Sequence, residues 1–167
     1  PYQIPLQLQS NQTVYPTEPK TKQSNPTAKR DIIINADERG LYLINGEIHS
    51  RLVTFLIDTG ASHVTMNSIH ARRLGIDYKR DGVMVQVDTA SGREVAYALR
   101  LKDIKVGNIQ LHNIAALILE GHLPRNILLG MSFLEKLEMK YSAGALHIQQ
   151  HVPEDAETYG ANGGASD

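Results

Sequence analysis

The segment Phe55-Leu56-Ile57-Asp58-Thr59-Gly60-Ala61-Ser62 contains the residues with the clearest chemical potential in this sequence. Asp58 follows an apolar run directly, so it should emerge close to the core, where a carboxylate loses water and needs other partners. Gly60 allows a backbone N–H to approach the carboxylate and donate to it, and the hydroxyl of Thr59 can bond to nearby backbone. Asp58, Thr59 and Gly60 are therefore candidates for acid–base chemistry, although a strand-ending Asp-Thr-Gly turn also occurs by chance.

Short strands and tight turns must position this segment. Leu52–Ile57 is a continuous apolar run, which predicts a strand buried on both faces. Asn67 is a plausible N-cap for a short helix that stops near Gly75, and Met131–Met139 has helical spacing. The remaining patterns predict strands at Asp31–Ala36, Leu41–Asn45 with Gly46 breaking it, Val83–Val87, Glu94–Lys105, Ile109–Leu119 and Ala145–Gln149. The sum is a mostly β domain with one or two short helices.

Composition divides the chain of 167 residues into three regions. Residues 1–30 are rich in Pro, Gln and Thr, which predicts a flexible linker, or an arm that adds to a sheet edge. Residues 31–151 form the predicted folded domain. Residues 152–167 hold four acids and no base, which predicts a solvated acidic tail.

The acid segment and its surroundings resemble the retropepsin-like aspartic proteases, and more narrowly their bacterial, usually membrane-anchored branch. FLIDTGASHVTM is similar to the catalytic loop of that family, and ARRLGI to the helix ending that follows. VDTASGREVAYALRLKDIKVGNIQLHNI resembles the flap hairpin and the strands beyond it, and NILLGMSFLEKLEMKYSAGALHI the late loop, helix and final strand. The matching stretches cover most of residues 31–150 in the order of the family.

The resemblance implies a single-lobe closed β-barrel and an aspartic endopeptidase. The chain has one such acid loop, since Asp88-Thr89-Ala90 lacks the glycine and lies in the predicted flap. The second catalytic carboxyl should therefore be Asp58 of another copy in a homodimer. Thr59 would brace the two loops, and Gly60 would hold the carboxylate. The predicted flap residues over a peptide substrate are Thr89, Ala90, Ser91 and Gly92.

Location also follows from the resemblance alone. It implies the periplasmic side of a bacterial inner membrane, with an N-terminal anchor upstream of the given residues, because the chain opens PYQIPLQLQS without Met. We expect the chain itself to be soluble, since no apolar run reaches the roughly 18 residues of a membrane helix.

Other chemistry is not indicated. There is no Cys, and the seven histidines form no HExxH motif, so we expect no metal and no cofactor. The net charge of −1 does not favour nucleic acid as a partner. Adjacent side chains on a strand point to opposite faces, which argues against a Ser62–His63 pair as part of a serine triad. His63 itself departs from the family pattern, and its ring could influence the site or face solvent.

The alternative function is a retropepsin-like peptide-binding or dimerisation module with weak catalysis.

Overall fold

A computed structural model describes residues 30–90 and 92–150 of the chain. The expectations for the linker, for the acidic tail and for Ser91 lie outside the described residues, apart from Arg30, which begins the first strand. Ten strands occur in the described part: β1 (Arg30–Asn35), β2 (Leu43–Ile48), β3 (Arg51–Ile57), β4 (Val64–Asn67), β5 (Val83–Thr89), β6 (Gly92–Val106), β7 (Ile109–Leu119), β8 (Ile127–Leu129), β9 (Glu138–Ser142) and β10 (Ala145–Gln150). Its three short helices are α1 (Ser68–Arg73), α2 (Tyr78–Asp81) and α3 (Met131–Leu134).

Six strands form a closed barrel, as the resemblance implied. Their order is β2-β3-β8-β4-β7-β6, and β6 pairs back to β2 through Gly46↔Val106 to Ile48↔Ile104. The interior is filled by fully buried apolar side chains from every side of the ring, among them Phe55, Ile104, Ile118 and Leu129. Among the described strands, β5 pairs only with β6, so it extends the sheet beyond the closed ring.

A second, three-stranded sheet lies beside the barrel. Its order is β1-β10-β9, and the register of β1 against β10 runs from Arg30↔Gln150 to Asn35↔Ala145. Buried side chains of this sheet, Ile34, Leu146 and Ile148, join the core of the barrel. The first and last described strands are therefore neighbours.

Gly46 does not break its strand, which corrects the expectation of a strand ending at Asn45. It lies inside β2, opposite Val53. A Cβ at this position would collide with the backbone oxygen of Lys105 and would lie 2.8 Å from the Phe55 ring. The glycine allows β2 to approach β6 closely enough to close the barrel.

The expectation that Leu52–Ile57 is buried on both faces is wrong for its first half. Leu52 is 83% exposed, whereas Phe55 is fully buried. The reason is the pairing of β3, which has β2 beside Arg51–Leu56 but, in the described part of the chain, β8 only beside Phe55–Ile57.

The first helix is confirmed, and the last is shorter than predicted. The Asn67 side chain accepts a hydrogen bond of 2.8 Å from the His70 amide, and Gly75 follows the helix with φ +70°. α3 ends at Leu134, because the chain turns there and enters β9, which pairs with β10 from residue 138 onward. Helical spacing of apolar residues did not distinguish this turn-and-strand from a longer helix. α2 was not predicted.

Candidate active site

Asp58 lies immediately after β3, in the loop that leads to β4. The side chain is half-buried, and Thr59 and Gly60 beside it are exposed. The Gly60 amide donates a hydrogen bond of 2.9 Å to Asp58 Oδ1, as the sequence predicted. The Asp58 amide donates to the Leu129 oxygen at 3.2 Å, and the Ala61 amide to the Asp58 oxygen at 3.3 Å. The carboxylate therefore stands on a loop whose backbone is anchored to β8.

The end of β8 and the start of α3 hold this loop from behind. The Met131 amide donates to the Ala61 oxygen at 2.8 Å, and the Ser132 amide to the Ser62 oxygen at 3.0 Å. Gly130 is buried between them, and a Cβ there would collide with the His63 carbonyl and lie 2.7 Å from the Ala61 oxygen. Only a glycine lets the two segments come this close, so Leu128-Leu129-Gly130 packs under the acid loop.

Ser132 extends this support to the neighbouring strands. Its hydroxyl accepts a bond of 2.9 Å from the Val64 amide and donates one of 2.8 Å to the Ala115 oxygen. The side chain thus connects the start of β4 to β7, where Val64 pairs with Ala116. One hydroxyl satisfies two backbone groups at the point where the acid loop re-enters the barrel.

Ser62 and His63 are closer than the argument from strand geometry allowed. Both lie in the loop before β4, so the alternation of side chains along a strand does not apply to them. Ser62 Oγ and His63 Nδ1 are 2.8 Å apart, a hydrogen-bonding distance. The pair faces the same cleft as Asp58. The expectation that the two side chains point to opposite faces is therefore wrong.

A cleft of about 940 Å³ separates the acid loop from the β5–β6 hairpin. Asp58, Gly60 and Ala61 form one wall. The opposite wall consists of hairpin residues along β5 and at its end, with Glu94 from β6: Val85, Val87, Asp88, Thr89 and Ala90. Together with Val85 and Val87, most of the remaining lining is apolar: Ala98, Leu117, Leu119, Leu123, Pro124 and Leu128. An extended chain with apolar side chains suits this space.

The predicted flap residues have different positions. Thr89 and Ala90 line the cleft, and Gly92 does not. Gly92 has φ +116°, and its oxygen accepts a hydrogen bond of 2.9 Å from the Thr89 hydroxyl. Gly92 therefore shapes the hairpin turn, and Ser91 lies outside the described residues.

Sequence reasoning missed most of the apolar lining. Val85 and Val87 alternate along β5, and Leu117 and Leu119 alternate along β7, so each pair shares one strand face. The alternation in the sequence was enough to group these residues on one face of each strand. Which face lines the cleft depends on the strand order, and the spacing of the residues alone does not give that order.

Among residues 30–90 and 92–150, no three His, Asp or Glu side chains come together in a way that could hold a metal ion. In the same part of the chain, no helix is long and apolar enough to cross a membrane.

An acid loop on a closed six-stranded barrel, facing a β-hairpin across an apolar cleft, defines the retropepsin-like class of fold and site. A family model described as "gag-polyprotein putative aspartyl protease" matches residues 44–136, more than half of the chain. The chain belongs to this family, the retropepsin-like aspartic proteases.

Two solved structures are similar to this chain. A retropepsin-like aspartic protease from Rickettsia conorii matches with a TM-score of 0.64 and 28% identity, over 73% of this chain and 92% of that one. The retroviral protease-like domain of Ddi1 from Leishmania major matches in fold with a TM-score of 0.51 and 18% identity, over 70% and 97%.

Two uncharacterised proteins are similar in sequence. One, in the cobV 5' region of Sinorhizobium sp, is 32% identical over 112 residues, which is 66% of this chain and 48% of the relative. The other, RP867 of Rickettsia prowazekii (strain Madrid E), is 31% identical over 108 residues, or 65% and 46%. The chain spans about half the length of the curated relatives it matches.

Proposed function

We propose that the protein is an aspartic endopeptidase whose reaction centre is formed by Asp58 from each of two copies. The observation that carries the proposal is the single acid loop, with Asp58 held by the Gly60 amide and opening into a peptide-sized cleft. The described part of the chain offers no second loop of this kind. Asp88, in the other Asp-Thr pair, lies on β5 of the hairpin, 3.4 Å from the Arg93 guanidinium.

The chemistry requires two carboxyl groups in different protonation states. Two carboxyls about 3 Å apart cannot both ionise, so one proton is shared between them. The ionised Asp58 takes a proton from a water molecule, which attacks the carbonyl carbon of the scissile peptide bond. The protonated Asp58 donates to the carbonyl oxygen, which gives a tetrahedral intermediate with two hydroxyl groups. As this intermediate collapses, the Asp58 that took the water's proton gives it to the leaving amine, and one hydroxyl returns its proton to the other Asp58, so that an amine and a carboxylic acid are released.

The surroundings of Asp58 assist this reaction in distinct ways. The Gly60 amide fixes the orientation of one carboxylate oxygen. Thr59 is exposed beside it and is available to brace the partner loop across the two-fold axis. The Thr89–Ala90 end of the hairpin would cover an extended substrate and exclude water. The apolar lining favours hydrophobic side chains on both sides of the cleaved bond.

A tethered dimer tests the requirement for two copies. Two copies joined by a flexible Gly/Ser linker should cleave an unstructured apolar peptide. We expect Asp58→Asn in one copy to lower cleavage more than about a hundredfold, because the remaining carboxyl cannot act as base and acid together. Asp81→Asn, an exposed carboxylate on α2, is the matched control and should retain activity.

Two results would contradict the proposal. Full activity with one Asp58→Asn copy would refute the shared centre. A stable dimer that cuts no member of a broad peptide library would instead support the alternative of a peptide-binding module.

The division into linker, protease domain and acidic tail, the N-terminal anchor and the periplasmic location stay predictions from the sequence and the resemblance. The proposed activity depends on none of them.

A further inference from the structure

A basic groove lies at the opposite end of β3 from Asp58. Asp58 follows the last residue of the strand, and the groove starts at its first residue, Arg51, about 20 Å away along an extended strand of this length. The groove has a volume of about 570 Å³. It is lined by residues 51–54 of β3, by His70, Arg73 and Leu74, and by residues 125–127, and no acidic residue is among them.

Its three arginines come from three elements: Arg51 from β3, Arg73 from the end of α1, and Arg125 from the loop before β8. None of them forms a salt bridge with any described residue. Arg51 donates to the Arg73 backbone oxygen at 3.0 Å, whereas the guanidinium groups of Arg73 and Arg125 are exposed. In a chain with a net charge of −1, this is a local positive surface without its counter-charge.

One side of the groove is a free strand edge. β3 pairs with β8 only over Phe55–Ile57, so the edge of Arg51–Thr54 on that side has no strand partner in the described part of the chain. Leu52, on this segment, is 83% exposed. A strand edge without a partner strand, with an exposed leucine on it, is the feature with which proteins bind extended peptides as an added strand.

The groove also contains a buried polar atom that lacks a hydrogen-bond partner among the described residues. His70 Nδ1 is buried and has no hydrogen-bond partner among the described residues. The groups that face this region are Arg51, Arg73 and Arg125, all positive.

We propose that this groove binds an extended acidic peptide segment, which adds as a strand along Arg51–Thr54 and places its carboxylates near Arg73 and Arg125. The free edge distinguishes this ligand from inorganic phosphate and from anionic lipid, which would use the charges and leave the backbone groups unpaired. The proposal goes beyond the proposed cleavage and does not depend on it.

The probe is a fluorescently labelled hexapeptide of alternating Val and Glu, titrated into the full chain and followed by anisotropy. We expect the double variant Arg73→Glu, Arg125→Glu to weaken binding about tenfold or more, because it reverses both exposed charges. The double variant Arg72→Glu, Lys102→Glu is the matched control, since it makes the same charge change on two exposed residues outside the groove. It should change binding less than about twofold.

Strand addition is tested on the unaltered protein, so the result does not depend on the folding of a variant. Versions of the hexapeptide N-methylated at every second amide, in both registers, keep their charges and lose backbone donors. At least one version should lose most of its affinity, and NMR shifts on binding the unmodified peptide should centre on residues 51–54.

Several outcomes would overturn the proposal: equal binding by the double variant and the control, or no loss of affinity in either methylated version. Shifts centred on Ala61 and Thr65 would assign the peptide to the cleft. Tighter binding of phosphatidylserine vesicles or of inorganic phosphate, with the same dependence on Arg73 and Arg125, would assign the groove to phosphate groups.

Discussion

The wall of the cleft that carries Asp58 is supported from behind by β8 and α3, whereas the opposite wall is a hairpin that extends beyond the barrel. Three backbone hydrogen bonds join the acid loop to β8 and α3, and their donors are the amides of Asp58, Met131 and Ser132. In the part of the chain that the structure describes, β5 of the hairpin pairs with β6 alone, and Val83 and Met84 on it are 69% and 65% exposed.

The difference indicates a division of labour. In the proposed reaction the Asp58 carboxylate meets that of a second copy and needs a fixed position, because small displacements of reacting groups cost large factors in rate. A wall that must admit a peptide chain needs the freedom to move. We therefore expect substitutions behind the acid loop to reduce stability, and substitutions on the hairpin to reduce substrate binding while stability changes little.

The largest effect should come from Gly130→Ala. The added methyl would clash with the backbone carbonyls of Ala61 and His63. The clash could be relieved only by moving β8 away from the acid loop or by moving the loop itself. We expect a loss of about 3 kcal/mol or more in the free energy of unfolding, measured by urea titration.

Gly121→Ala is the control for Gly130→Ala. It has open space around the added Cβ and φ +94°, so it should cost only about 1 kcal/mol from backbone strain. Equal losses in the two variants would mean that the contact behind the loop is not tight.

Ser132→Ala should have the next largest effect on stability. It removes the acceptor of the buried Val64 amide and the donor to Ala115, so we expect a loss of about 1–3 kcal/mol. Thr54→Ala, which removes an exposed hydroxyl bonded to Asn45, should cost less than about 0.5 kcal/mol by the same measurement. A Ser132→Ala variant as stable as Thr54→Ala would show that the hydroxyl is not needed to hold the loop.

The supported wall, which carries Asp58, was also the part most accessible to sequence reasoning. An acid after an apolar strand and a glycine two residues later identified the loop, and the bond from the Gly60 amide to Asp58 has the predicted form. The N-cap at Asn67 was equally readable, because caps depend on local chemistry.

Features that depend on distant residues were not predictable in this way. The exposure of Leu52 depends on where β8 begins to pair with β3. Gly46 lies inside a strand because β6 approaches it closely. The contact of Ser62 with His63 depends on the path of the loop before β4. The apolar lining of the cleft needed the strand order as well. The barrel itself was expected from the resemblance and not from the periodicity of the strands.

On the hairpin side, Val87→Ala should affect substrate before stability. Val87 lines the cleft and is half-buried, so removing two methyl groups should cost about 1 kcal/mol of binding, or roughly fivefold in KM for an apolar peptide. Its neighbour Gln86 is exposed and does not line the cleft, and Gln86→Ala is the matched control. If Val87→Ala lowered the unfolding midpoint as much as Ser132→Ala, the hairpin would be part of the rigid frame, and the division of labour would be wrong.

The smallest expected effect concerns the pH dependence of the supported wall, which continues through β4 into α1. Burial, with the positive charge of Arg73 as a second cause, lowers the pKa of His70 below its ordinary value of 6.5. As the pH is lowered, the unfolded chain therefore binds this proton before the folded chain does. The free energy of unfolding falls as the pH drops below about 6.5, and this fall ends once the pH is below the pKa of His70 in the folded chain. In His70→Gln this contribution is absent, so the variant should lose less stability between pH 7 and pH 5 than the unaltered protein, measured by urea titration at each pH.

His112→Gln, at an exposed position on β7, is the control. A steeper loss in His70→Gln would mean that the protonated ring is stabilised in the fold, as it would be if a carboxylate already occupied the basic groove.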